Sequence, residues 1–328
     1  MLQKILIIRF SSIGDIVLTT PVMRCLKKHM PHVSIHYATK KQYAALLESN
    51  PYVDKVHVFE DKKLPALTDA LEKEKFDLIL DLHNNLRTFL LTSNLNIPCR
   101  KFNKLNFRKW LAVKLHWNTL PDLHIVDRYL ATLSDFGIHN DGAGLDHFIP
   151  QNERVDTASF PFGNTKYAAL VIGALHATKK LPQHKLIALC NNIPTPIVLV
   201  GGPEDASAGD AIVAASTNKK IYNACGKYSL HGSASVIEQS DIVYTHDTGM
   251  MHIAAACKKN IISFWGNTIP AFGMYPYYGN TLSLAEQKRS GRIREVEGLS
   301  CRPCSKIGYA TCPKGHFKCM ELQSLNPA

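Results

Sequence analysis

Short apolar runs that alternate with helix-length segments from one end of the chain to the other constrain its fold more than any other feature. In the first half, Lys4–Phe10, Val33–Tyr37, Lys55–Phe59 and Phe76–Leu82 read as strands, with helical patterns over Asp15–His29 and Lys41–Ser49. In the second half the strands are Tyr167–Ile172, Pro196–Val200, Lys220–Ala224, Asp241–Thr245 and Asn260–Trp265. A buried strand followed by a crossover helix is the unit of a parallel sheet, so the expected class is α/β with two doubly wound domains. A length of 328 residues, 45% of them hydrophobic, is enough for two cores. The polar stretch Gln151–Thr165, holding Pro161, Gly163 and Asn164, is the expected linker, which gives domains 1–158 and 159–328.

Ligands of such sheets bind beyond the carboxyl ends of the strands, where a loop meets a helix N-terminus. Three loops stand out there: Ser11–Asp15, Gly201–Asp205 and His246–Gly249. None is a Gly-x-Gly-x-x-Gly or Walker loop, which argues against a nicotinamide dehydrogenase or a nucleoside triphosphatase. Ser12 and Asp15 have capping-box spacing ahead of Ile16-Val17-Leu18. A carboxylate beside Gly14, where backbone can approach a ligand closely, can also accept a hydroxyl proton, and the local sequence leaves both readings open. In Gly173–Lys180 the basic end is either a solvated loop or a phosphate contact, with Thr178 as a hydrogen-bond donor. Asp247 and Thr248 are candidate N-caps of a small-residue helix whose amides form an anion site; His252, four residues after Thr248, is a ligand contact or a packed structural residue. Glu204 is either a ribose contact or a first-turn helix acid.

Charge narrows the partners. The excess of 38 Lys and Arg over 27 Asp and Glu gives +11, which suits phosphorylated sugars or an acidic membrane surface. Nucleic acid is not expected, because the bases are mixed with acids and no zinc-finger or helix-turn-helix pattern is present. Between Arg100 and Trp117 six basic residues interleave with Phe102, Phe107, Trp110 and Trp117, as in either a surface that meets anionic lipid or an amphipathic helix packed on the sheet. The apolar start, Met1–Ile8, is cut by Arg9 and Asp15 before it is long enough for a membrane span or signal core, and the expected location is cytoplasmic. Nine cysteines without a secretory signal suggest reduced thiols. Cys301, Cys304, Cys312 and Cys319 fall within nineteen residues, and four soft ligands make a structural zinc the alternative to free thiols.

Taken together, several of these motifs resemble glycosyltransferase family 9, the lipopolysaccharide heptosyltransferases, over nearly the whole chain. Arg9-Phe10-Ser11-Ser12-Ile13-Gly14-Asp15, Asp81-Leu82-His83-Asn84-Asn85-Leu86-Arg87 and Asp247-Thr248-Gly249-Met250-Met251-His252, followed by Phe264–Thr268, carry the likeness. The resemblance implies a GT-B architecture of two Rossmann-like domains facing across a cleft, with the acceptor on the first and a nucleotide-sugar donor, ADP-heptose by default, on the second. It implies Asp15 as general base of an inverting transfer, with acceptor contacts at Ser12, Gly14, Asn84 and Arg87. It implies donor contacts at Thr178, Lys179, Glu204, Asp247, Thr248, Gly249 and His252, an anionic glycolipid acceptor, and no cofactor for the chemistry. One departure is clear: the family's Lys-x-Trp-Pro reads Lys179-Lys180-Leu181-Pro182 here, without the aromatic residue. An epimerase-type enzyme with the same two domains and a basic binding module are the rival classes.

Overall fold

The computed structural model describes residues 2–60 and 63–326. The chain forms two compact units, Met1–Lys104 with Leu123–Phe148, and Leu105–Asp122 with Ile149–Ala328. The longer segment of the second unit starts at Ile149 and not at 159, so the stretch Gln151–Thr165, expected to be a linker, falls inside it. Val155 N–H donates to Ser235 Oγ (3.0 Å) and Arg154 pairs with Glu238 (2.5 Å), so this segment is pinned to a helix of the second unit.

The first unit holds β1 (Lys4–Ile8), β2 (Ser34–Lys40), β3 (Lys55–Phe59), β4 (Leu78–Asp81) and β5 (Cys99–Lys101), with helices α1 (Ile13–Val17), α2 (Thr20–His29), α3 (Ala45–Glu48), α4 (Leu64–Glu72) and α5 (Leu86–Leu95). α6 (Asn106–Lys114) clusters with the second unit, and α7 (Ile125–Leu130) with the first. All pairings are parallel in the order β3-β2-β1-β4-β5. β1 pairs on both edges, Ile5 facing Ile35 on one side and Leu78 on the other, and Ile5–Ile8 are wholly buried. That placement explains a continuous apolar run where a half-exposed strand would alternate. The single helix expected over Asp15–His29 is two, because Pro21 in the first turn of α2 has no N–H to continue the ladder.

The second unit repeats the design with β6 (Ala168–Val171), β7 (Ile197–Val200), β8 (Ile221–Asn223), β9 (Ile242–His246), β10 (Asn260–Trp265) and β11 (Ile293–Glu295). Its helices are α8 (Gln183–Asn192), α9 (Ala206–Ala215), α10 (Leu230–Gln239), α11 (Gly249–Ala256), α12 (Leu284–Arg289) and α13 (Lys318–Glu321). The order β11-β10-β9-β6-β7-β8 is again parallel throughout. In each sheet the winding reverses once, between β1 and β4 and between β6 and β9. Such a switch point opens a crevice at the carboxyl ends of the two strands, where the outgoing loops diverge. Those four loops carry Arg9–Asp15, His83–Arg87, Gly173–Lys180 and Asp247–Gly249. No described helix is long and apolar enough to cross a membrane.

Candidate functional site

At the β1/β4 switch point, Asp15 sits in the first turn of α1. It accepts from both the Ser12 N–H (3.1 Å) and the Ser12 hydroxyl (2.9 Å), the capping contact that the spacing of the two residues suggests. Its other oxygen pairs with Arg9 at 2.5 Å, with the two side chains 10% and 17% exposed. Arg9 also donates to the carbonyls of Ser11 (2.7 Å) and Leu82 (2.6 Å), which locks the loop after β1 to the loop after β4. Burial alone would raise the Asp15 pKa, but the Arg9 charge and hydrogen bond, with those from Ser12, outweigh it and hold the carboxyl at about 2. The group is therefore ionised at any working pH and aligned by three donors. Gly14, beside it, is buried within α1.

The loop after β4 is organised by Asp81, which is fully buried and accepts from the His83 N–H (3.0 Å), the Asn84 N–H (2.7 Å) and the Thr88 hydroxyl (2.7 Å). Asn84 takes a left-handed backbone (φ 47°), which asparagine tolerates better than most residues. Its side-chain amide donates to the Phe102 carbonyl (3.0 Å). Asn85 then caps α5, and Arg87 projects from the helix with its guanidinium 5.8 Å from the Phe59 ring centroid. Phe10 stacks on Phe59 and leans on His83, so Ser12, Gly14, Asp15, Asn84 and Arg87 belong to one continuous region of the first unit. His83 was not singled out by the sequence. Burial first, then the Arg9 charge, push its pKa down to about 3, leaving a neutral ring whose Nδ1 is buried and unpartnered.

At the β6/β9 switch point, Lys179 Nζ lies 2.7 Å from Asp247 Oδ2, and the Thr268 hydroxyl donates to the same oxygen at 2.8 Å. Thr248 is the N-cap of α11, and Gly249 is the helix's first residue. The amides of that first turn have no partner inside the helix, and the dipole adds partial positive charge. The Thr248 hydroxyl and both polar atoms of the Asn267 side chain are buried without a hydrogen bond, with Asn267 1% exposed. Unmet donors and acceptors at a helix mouth beside an ammonium have the chemistry of an anionic, hydroxyl-rich ligand site. His252 is buried on α11, 2% exposed. Lys180 is turned to the neighbouring loop, where it pairs with Asp205 (2.9 Å), and Asp205 also accepts from the Gly202 N–H (3.1 Å). Glu204, next to it, is exposed. His246 Nε2 accepts from the Leu181 N–H (3.0 Å), fixing the base of the lysine loop; burial first, then the Lys180 charge, lower its pKa to about 3. The Thr178 hydroxyl is engaged by Tyr309, from which it accepts an N–H bond of 2.8 Å.

Two other features carry expectations. All four tail cysteines are free thiols, and Cys301 Sγ lies 3.8 Å from His316 Nε2. Among the described residues, the one group of three or more ligand atoms within 4.8 Å of one another is His36, His57 and Glu74. Glu74 there is already bonded to Lys4 (3.0 Å) and Lys55 (2.5 Å), so a cation would add to an existing positive excess. α6 buries only Ala112 and exposes Phe107 (71%) and Trp110 (45%), whose rings stack with centroids 6.2 Å apart. Just past it, Trp117 is 63% exposed. This is not the buried apolar face of a helix packed on a sheet.

Two doubly wound parallel sheets, each with its polar loops gathered at a switch point, define a protein of the GT-B class. The family model for glycosyltransferase family 9 (heptosyltransferase) matches residues 65–293, and the chain belongs to that family. It is similar to lipopolysaccharide heptosyltransferase 1 of Campylobacter coli, 23% identical over 81% of this chain and 84% of that one. Among solved structures it resembles the E. coli ADP-heptose lipopolysaccharide heptosyltransferase II, with a TM-score of 0.69, 20% identity and 98% of both chains covered. An E. coli heptosyltransferase solved with ADP superimposes with a TM-score of 0.63 at 20% identity, covering 84% of this chain and 91% of that one. The protein is therefore a glycosyltransferase.

Proposed function

We propose that the chain transfers heptose from ADP-heptose to an anionic inner-core lipopolysaccharide acceptor, inverting the anomeric centre. The observation that carries this reading is the cluster at the mouth of α11: Lys179 on Asp247, with the unpartnered polar atoms of Thr248 and Asn267 beside it. It offers a cation, helix amides and hydroxyl-binding groups where a nucleoside diphosphate needs them. Names of relatives add the heptose and the lipopolysaccharide. Glu204 is assigned to the donor ribose, and Gly249 and His252 to the donor end of the site. Ser12, Gly14, Asn84 and Arg87 are assigned to the acceptor.

In the reaction the acceptor oxygen attacks the anomeric carbon while its proton passes to the Asp15 carboxylate. The bond from that carbon to the diphosphate oxygen breaks, and its electron pair leaves with ADP. Lys179 and the α11 amides take up that growing negative charge, which is the larger electrostatic demand. Because Arg9 depresses the Asp15 pKa, the carboxylate is a weak base that receives the proton late, when the attacking oxygen has become acidic. No metal enters these steps. The cysteines Cys301, Cys304, Cys312 and Cys319 are assigned to one structural zinc outside the chemistry. The exposed aromatic face of α6, with Arg108, Lys109 and Lys114, is assigned to the surface of an anionic membrane.

Incubating the purified protein with ADP-heptose and an inner-core acceptor, and following ADP and the glycosylated product, tests the proposal. ADP should appear only with acceptor present, and the product should carry the inverted linkage. Conversion of the donor without an acceptor would instead indicate the epimerase class.

A further inference from the structure

Residues Arg302–Tyr309 run as a strap between the two loops at the nucleotide end of the site, and the chemistry above leaves them without a role. On one side the strap bonds to Thr178. The Tyr309 N–H donates to Thr178 Oγ1 (2.8 Å), and the Tyr309 carbonyl faces the Thr178 N–H (3.2 Å) and hydroxyl (3.1 Å). On the other side it takes three successive carbonyls. Arg302 donates to Gly266 (2.5 Å) and Thr268 (2.9 Å), and the Cys304 N–H donates to Asn267 (3.2 Å). Arg302 is itself held by Glu295 at 2.8 Å, both side chains under 10% exposed. Inside the strap, the Ser305 hydroxyl accepts from the N–H groups of Ile307 (3.1 Å) and Gly308 (2.9 Å).

Close approach depends on Gly308. Its φ of +129° excludes most side chains, and a Cβ there would lie 2.5 Å from His176 Cβ. The Thr178 hydroxyl spends both its proton and an acceptor site on Tyr309, while its neighbour Lys179 is the residue paired to Asp247. We propose that Thr178 is a positioning residue, and that the Arg302–Tyr309 strap ties the Lys179 loop to the Gly266–Thr268 loop so that the ammonium is fixed at the mouth of α11 before the diphosphate arrives. This rests on the assignment of Lys179 and α11 to the donor.

Three variants of the full chain test it: Gly308→Ala, which crowds the strap off His176 without removing a polar group, Thr178→Val, and Thr178→Ser, which keeps the hydroxyl. The readouts are ADP affinity by calorimetry, KM for each substrate, kcat, and hydrogen exchange at the Thr178 amide. Gly308→Ala and Thr178→Val should each weaken ADP binding and raise donor KM by about tenfold, the equivalent of one to two ordinary hydrogen bonds. Both should speed exchange at Thr178 and leave acceptor KM unchanged, with Thr178→Ser close to wild type. Faster exchange in Gly308→Ala with wild-type ADP affinity would overturn the proposal. So would a loss confined to Thr178→Val, which would make Thr178 a direct ligand. Wild-type protein that protects the Thr178 amide but binds no ADP would overturn the donor assignment and the proposal with it, and the protected amide tells that failure apart from a strap that does not form.

Discussion

Replacing Asp15 with Asn separates the two jobs assigned to that side chain, because an amide keeps the shape and hydrogen-bond acceptor but loses the charge and the basicity. The stability cost can be worked from the pKa. A carboxyl moved from 3.8 to about 2 on folding favours the ionised native state by about 2 kcal/mol at neutral pH, and the amide forfeits that amount. Arg9 keeps its bonds to the Ser11 and Leu82 carbonyls, which limits the loss to about that size rather than the 3–5 kcal/mol of a fully stranded buried charge. With a urea dependence of about 1–3 kcal/mol per molar, the unfolding midpoint should fall by about 1 M. Because the folded-state pKa is the lower one, the contribution is complete above the ordinary carboxylate range and disappears as the pH falls through about 2. The gap between wild type and variant should accordingly shrink as acid is added. Transfer should fall by about 10²–10⁴-fold, the usual worth of a general base, with ADP binding intact because the residues proposed for it lie in the other unit. A variant that turns over within a few-fold of wild type would refute the assignment of the base. A variant as stable as wild type at pH 7 would refute the account of the Arg9 pair.

Four other outcomes follow from the same geometry. Asp15, His83 and His246, held down at about 2, 3 and 3, should add no limb to the kcat/KM profile between about pH 5 and 8, and a limb in that range that disappears on replacing His83 or His246 would contradict it. Lys179→Ala should lose donor affinity and kcat together, by about 10²-fold, because in the proposed reaction the ammonium meets both ground-state phosphate and leaving-group charge; if Lys180→Ala is the more damaging in steady-state kinetics, the Asp205 pairing of Lys180 has been misjudged. Metal analysis of the purified protein should find about one zinc per chain, lost on changing Cys304 and Cys319 to Ser together, and zinc well below one equivalent would leave the four as plain thiols. Changing Phe107 and Trp110 to Ser should abolish sedimentation with anionic liposomes while transfer to a soluble acceptor persists, and unchanged binding would exclude α6 as the membrane face.

The parts of the fold legible in sequence were those in which one element dominates its own signal. The runs at Lys55–Phe59 and Asn260–Trp265 gave strands with those same limits, because each is bounded by polar residues and long enough to show its pattern. β5 and β11 were not legible: each is three residues at a sheet edge, Cys99-Arg100-Lys101 and Ile293-Arg294-Glu295, too short and too polar for any periodicity. The candidate loops follow from a rule about strand ends, but the partners within them do not. Asp15 read as a cap for Ser12, which it is, whereas its pairing with Arg9 needs the chain to turn back after β1, and spacing carries no trace of that turn.

The tail shows the same limit in a stronger form. Its cysteines drew attention because they repeat, yet the residues that bond to the Thr178 and Gly266–Thr268 loops are Arg302, Tyr309 and the Cys304 amide, and two of these act through backbone alone. A backbone donor has no letter in the sequence. Gly308 does have a letter, but its role becomes plain only with the contact to His176 in view. The strap occupies the carbonyls of Gly266, Asn267 and Thr268 and, through Tyr309, the hydroxyl and N–H of Thr178, so a metal closing the cysteines would stiffen the segment proposed to set Lys179. If the zinc and the strap are one device, removing the metal should weaken ADP binding in wild type and change little in Gly308→Ala, where the strap is already displaced. Equal weakening in both proteins would mean that metal and strap act independently.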